Sequence, residues 1–209
     1  MTNNLKFIFM RTYIIPVFAM MILFSSCYVE QIDKTIFIPD KTDPSLPAYT
    51  EWGYNTFGAV YDSRNYFLFS EGVDPCKIIY KDNLLYFCLD GILRGDDYSV
   101  NGITTLSFSF PSDVLTKYAD LTILNNKQID LTSAGCTVKI FSGMNDKTLN
   151  VVSGNLHFKR TQLLFIDDVP DRVILSGTFE LSFLENGSLV SISKGRFDFG
   201  VNNNFFYTN

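Results

Sequence analysis

The stretch DRVILSGTFELSFLENGSLVSISKGRFDF, residues 171–199, decides the fold. From Val173 to Phe183 every second residue is apolar or glycine: Val173, Leu175, Gly177, Phe179, Leu181 and Phe183. The residues between them are mostly polar, namely Ser176, Thr178, Glu180 and Ser182. Such alternation describes a strand with one dry face and one wet face. Glu185-Asn186-Gly187-Ser188 reads as a turn, because Asn and Gly accept positive φ. Leu189 to Phe199 returns as the partner strand, with Val190 and Ile192 in one phase and Phe197 and Phe199 in the other. The phase switches at Lys194-Gly195, which marks a β-bulge. The register predicts Leu175, Phe179 and Leu181 inside, Glu180 and Ser182 outside.

Outward from this hairpin the chain reads as short strands separated by turns. Asn55 to Tyr61 and Tyr66 to Phe69 flank a turn at Asp62 to Asn65. Lys77 to Tyr80 and Leu84 to Leu89 flank Lys81-Asp82-Asn83, and both are apolar on two faces. Ile103 to Phe110 alternates as a half-buried strand. Ile129 to Leu131, Cys136 to Phe141, Leu149 to Val152, Leu156 to Phe158 and Gln162 to Ile166 are shorter, and Phe205-Phe206-Tyr207 reads as an edge strand. Pro111-Ser112-Asp113 offers an N-cap for one short helix lined by Val114, Leu115 and Tyr118. With 20 Phe and 11 Tyr to bury, this pattern predicts an all-β domain. Its hairpins form an antiparallel meander closed as a sandwich or flattened barrel, with one short helix.

The first residues are of another kind. Lys6 and Arg11 are the only charges before Glu30. Tyr13 to Phe24 is mostly apolar and too short to span a bilayer comfortably. Ser25-Ser26-Cys27 follows. A positive start, a short apolar core, small residues and a Cys resemble a bacterial lipoprotein signal. The resemblance implies cleavage before Cys27 and diacylglyceryl on its sulfur, with Met10 an alternative start to Met1. It predicts three segments: a signal peptide over 1–26, a lipidated Cys27 and flexible tether over 27–50, and a single β-domain over 51–209. Pro39, Pro44 and Pro47 with little periodicity support the tether. The membrane is the partner this predicts, through lipid on Cys27, in the cell envelope and at the outer membrane.

The chain carries 17 Lys and Arg against 22 Asp and Glu, a formal charge of −5. Without Lys6 and Arg11 it is 15 − 22 = −7. That balance argues against nucleic acid as a partner. His157 is the only histidine. It lacks a nucleophile-elbow pattern nearby, so a solvent-facing strand histidine is expected, not a triad base. Asp167, Asp168 and Asp171 surround Pro170, and Asp90, Asp96 and Asp97 occupy a glycine-bearing loop. Paired carboxylates serve glycosidases or calcium sites, yet Asp and Pro are also ordinary turn residues. No catalytic, metal or cofactor site follows from these residues. Trp52 and Tyr54 open the domain and are the candidate ligand surface for a glycan or a protein, since exposed aromatics make contact platforms.

Cys76, Cys88 and Cys136 remain beside Cys27. If Lys81-Asp82-Asn83 is a three-residue hairpin loop, Cys76 stands opposite Cys88 and a disulfide is expected. A two-residue loop sets Cys88 against Lys77 instead.

Asn55-Thr56-Phe57-Gly58-Ala59, Ser176-Gly177-Thr178-Phe179-Glu180 and Gly195-Arg196-Phe197-Asp198 resemble the ends of small Bacteroidota-type lipoproteins of unknown function. The resemblance implies a lipid-anchored all-β domain and brings no catalytic residues. Three functions are compatible with the residues: a non-enzymatic binding domain, a carboxylate-dependent hydrolase of glycans, and a structural subunit of a surface assembly.

Overall fold

The computed structural model describes residues 34–208 apart from 64, 71, 95–99 and 143–144, and omits the side chains of 100, 101 and 145. Residues 1–26, Cys27, Asp96 and Asp97 lie outside the described residues.

The described chain is all-β, as expected. Its strands are β1 (Thr56–Tyr61), β2 (Asn65–Phe69), β3 (Cys76–Lys81), β4 (Leu84–Arg94), β5 (Val100–Pro111) and β6 (Lys127–Asp130). They continue as β7 (Thr137–Ser142), β8 (Asn145–Thr148), β9 (Asn150–Ile166), β10 (Val169–Glu185), β11 (Ser188–Val201) and β12 (Phe206–Thr208). All join one sheet in the order β6-β9-β10-β11-β1-β2-β4-β5-β7-β8. Strands β2 and β3 share one edge of β4, and β12 lies parallel to β3. The sheet curls into a half-barrel. The segments expected at Leu149, Leu156 and Gln162 are one continuous strand, β9, because Ser153-Gly154-Asn155 stays paired with β10.

The organising hairpin has the predicted register. Val173, Leu175, Phe179, Leu181 and Phe183 are buried, and Glu180 is exposed. Pairing slips between Phe179 and Leu181, opposite Gly195 and Ile192, with Lys194 at φ 52. This is the predicted bulge. It reverses the phase, so Ile192 and Phe197 both face the concave side with the core. Two glycines of the hairpin make room for rings. A Cβ on Gly177 would lie 2.6 Å from the Phe197 ring, and one on Gly195 would lie 2.6 Å from the Phe179 ring. Each glycine is the direct cross-strand partner of that phenylalanine. The ring covers the backbone that glycine leaves bare.

Phe87 lies at the centre of the concave core, with ring centroids 4.8 Å from Phe197 and 5.4 Å from Phe158. Among the described residues a single 3₁₀ helix, Tyr118–Leu124, packs Leu121 and Leu124 into the same cluster against β9 and β10. This corrects the expected helix, which was to begin after Asp113. The cap instead forms at Asp120, whose Oδ2 accepts the Thr116 N–H at 2.8 Å and the Lys117 N–H at 3.1 Å. Val114 points to solvent, while Leu115 is core.

The expected disulfide is overturned. The β3–β4 loop is the two residues Asp82 and Asn83, at φ 53 and 60, as a primed hairpin turn requires. Cys76 therefore pairs with Leu89, and Cys88 with Lys77. One residue of register puts the two sulfurs on opposite faces of the sheet. Cys76 sits in the core, Cys88 Sγ lies 3.3 Å from Ser107 Oγ, and both are free thiols.

The tether reading also needs correction. Within 27–50, the described residues fold as a strap over the convex face. Ile36 N–H donates to the Tyr54 carbonyl at 2.9 Å, and Ala48 N–H to that of Ile38 at 2.6 Å. Leu46 is fully buried with Val60 and Leu68 in a second, small apolar cluster. Arg196 Nη1 reaches Asp40 Oδ2 at 2.7 Å, and Lys194 Nζ reaches Asp43 Oδ2 at 3.3 Å.

Candidate functional site

The strap is fixed to the sheet by one carboxylate. Asp198 is 1% exposed, although it belongs to the convex phase of β11. Its Oδ2 accepts the Thr50 hydroxyl at 2.6 Å and the Trp52 N–H at 3.0 Å. Its Oδ1 accepts the Gly53 N–H at 2.8 Å. Gly53 has φ +75 and packs against Gly200, so a side chain is unfavourable there on both counts. Two residues further on, Asn55 Oδ1 accepts the Gly200 N–H at 2.9 Å. A buried carboxylate bonded to successive backbone amides fixes their directions, and with them the side chains they carry.

Held this way, the strap forms one wall of a groove of about 540 Å³ whose floor is the convex face of β9 and β10. Trp52 stands 70% exposed at its mouth. Tyr49 and Glu51 line the strap side, and Arg160, Gln162 and Ile174 line the sheet side. The polar groups form a chain. Tyr49 donates its hydroxyl to Glu51 Oε1 at 2.8 Å, Arg160 Nη1 donates to Glu51 Oε2 at 3.0 Å, and Arg160 Nη2 donates to Gln162. Burial pushes the Tyr49 phenol up to about 12, and the adjacent Glu51 carboxylate adds to this. Glu51 is held below the usual carboxylate range, first by the Tyr49 hydroxyl and then by Arg160.

A register shift in β9 arranges this floor. Ser176 pairs with Arg160 but Gly177 pairs with Phe158, so Lys159 is the bulged residue. It is exposed like Arg160, and its ammonium lies 4.8 Å from the Tyr49 ring centroid. Beyond Tyr49 a second hollow of about 380 Å³ is lined by Lys159, Glu180, Lys194 and Arg196, among others.

Of the residues singled out in the sequence, Trp52 lines the groove and Tyr54 does not. Tyr54 is half-buried, and its carbonyl receives Ile36. His157 Nε2 lies 3.4 Å from the Asn126 amide oxygen, which is neither nucleophile nor carboxylate. Asp167 and Asp168 form a two-residue turn at φ 49 and 63, and Asp171 pairs with Arg172. Asp90 accepts the Thr105 hydroxyl. Among the described residues no group of three or more His, Cys, Asp or Glu is placed to hold a metal. Tyr49, Glu51, Arg160 and Gln162 were not anticipated as site residues. The one sequence signal for them is that Tyr49 and Glu51 shortly precede Trp52 in an otherwise aperiodic segment.

No protein-family model matches this chain, and no curated protein or solved structure matches it either.

Proposed function

We propose that this is an envelope lipoprotein, held on a membrane by lipid on Cys27, whose β-domain binds a glycan without transforming it. The carrying observation is Trp52, an exposed indole on a strap locked by Asp198, beside a floor of Arg160, Glu51 and Gln162. Flat aromatic surface next to hydrogen-bonding side chains suits a sugar ring, whose faces are apolar and whose rim is hydroxylated. Rigid presentation lowers the entropy lost on binding. The hydrolase reading draws less support from the groove, because Glu51 is kept ionised by Tyr49 and Arg160 and is poorly suited to donate a proton.

The test is a glycan panel followed by titration of the bound glycan into Trp52→Ala and Arg160→Ala variants. Binding should fall at least tenfold in each, with melting unchanged for Trp52→Ala. Retention of full affinity in both variants, or no glycan bound by the parent, overturns the reading. Lipid attachment is tested separately: Cys27→Ser should move the protein from the membrane to the soluble fraction.

A further inference from the structure

The entry point of the chain and one fringe of exposed apolar side chains share an end of the sheet. Strands β1 and β10 both run antiparallel to β11, so their first residues, Thr56 and Val169, lie at that end. Ile36, at the start of the described chain, is bonded to Tyr54 just before β1. Ile36 is 46% exposed and Phe37 is 45%, with the Phe37 ring 5.8 Å from Phe69. Beyond them projects the β9–β10 hairpin tip, where Phe165 is 58%, Ile166 49% and Val169 63% exposed. At the other end of β10 the turn into β11 exposes Leu184 and Leu189, and the described chain does not begin beside it.

Cys27 precedes Lys34 by seven residues, a reach of at most about 25 Å even when fully extended. The strap thus leaves a much shorter leash than a tether running to Thr50 would. A lipid on Cys27 keeps the domain within a fraction of its own length of the bilayer, with the chain-entry end leading. We infer that this end docks on the lipid surface through Ile36, Phe37, Phe165, Ile166 and Val169; the inference rests on the lipidation proposed above. Apolar side chains at a bilayer interface gain by leaving water. The carboxylates of Asp167 and Asp168, at the turn between Ile166 and Val169, keep the tip from entering hydrocarbon. Contact is therefore at headgroup depth, on a zwitterionic surface that does not repel two acids. Trp52 lines the groove, whose floor reaches Leu164 beside the tip.

The chain has a single tryptophan, which allows a direct test. In a Trp52→Phe background, Phe165→Trp places a reporter at the docking tip. Leu189→Trp places one at the far tip, ~50 Å along β10 at the strand rise. Both replaced side chains are more than half exposed, so neither core is repacked. The full lipidated protein is reconstituted in phosphatidylcholine vesicles brominated near the top of the acyl chains. Quenching of the Phe165→Trp reporter to under half its intensity, with the Leu189→Trp reporter unchanged, supports the docking. Protein that floats with the vesicles while the Phe165→Trp reporter stays unquenched, or while both reporters are quenched alike, overturns it and leaves the anchor standing. Protein that does not float overturns the anchor and the docking with it.

Discussion

Asp198 Oδ1 accepts the backbone N–H of Gly53 at 2.8 Å across 145 positions of chain. This contact and its companions at Thr50 and Trp52 set where the groove wall stands. Asp198→Ala leaves buried amides without an acceptor and should cost about 3 kcal/mol, with Asp198→Asn roughly half of that. Urea midpoints measure the cost. Faster amide exchange at Trp52 and Gly53, with exchange in β10 unchanged, would place the effect in the strap.

The core prediction concerns Phe179 and its glycine partner. Phe179→Ala should destabilise by ~3–5 kcal/mol, because its ring is enclosed and the neighbours collapse only in part. Gly195→Ala tests the other half of the pair. Its Cβ would fall 2.4 Å from the Phe179 carbonyl oxygen, a backbone atom that cannot swing aside. Its loss should match that of Phe179→Ala in a denaturant titration. A Gly195→Ala melt like that of the parent would disprove the close approach.

What could be read from the sequence followed local periodicity. Val173 to Phe199 alternates, so its faces, turn and bulge were all visible. The Cys76–Cys88 pairing failed on one residue of loop length, since Asp82 and Asn83 both accept positive φ and close the turn without Lys81. Periodicity survives such an error, but the facing of every residue beyond it does not. The strap was invisible for another reason. It is held by Asp198, Arg196 and the apolar surface around Leu46, all contacts without a repeating pattern. Trp52 was legible as an aromatic at a domain start, whereas Arg160 joins it through the Lys159 bulge, which nothing in β9 announces.

Thiol chemistry gives a third prediction. Cys76 and Cys88 are buried, and burial raises both thiols, Cys76 most. Titration of the denatured, unreduced domain should find Cys76, Cys88 and Cys136 all reactive. In the native protein only Cys136, which is partly exposed, should react on the same timescale. A single reactive thiol after denaturation would restore the disulfide.

Stability should fall at both ends of the pH scale. Asp40 is held below its ordinary range chiefly by Thr42, and Glu51 by Tyr49. A depressed carboxylate stabilises above its unfolded value, near pH 4, and the contribution is lost as pH falls through the lower folded value. Tyr49 and Tyr61 are raised to about 12, both chiefly by burial. Their contribution is whole below about pH 10 and disappears between there and the folded value. Urea unfolding should show a plateau from about pH 5 to 8, since the buried thiols of Cys76 and Cys88 are also raised in the fold and begin to lose their contribution near the unfolded thiol value. Phenolate absorbance should show Tyr49 and Tyr61 ionising only as the pH approaches about 12.

The strap has a mechanical meaning as well. Tyr49, Glu51 and Trp52, which face the groove, lie on the same continuous backbone that runs back past Ile36 toward Cys27. With the anchor and ligand proposed here, tension from a polymer in the groove is carried partly along covalent bonds in the strap, and the half-barrel is spared that share. The sheet serves as the rail that keeps the strap from peeling. The Asp198 contacts are the rivets, loaded one after another from the anchored end.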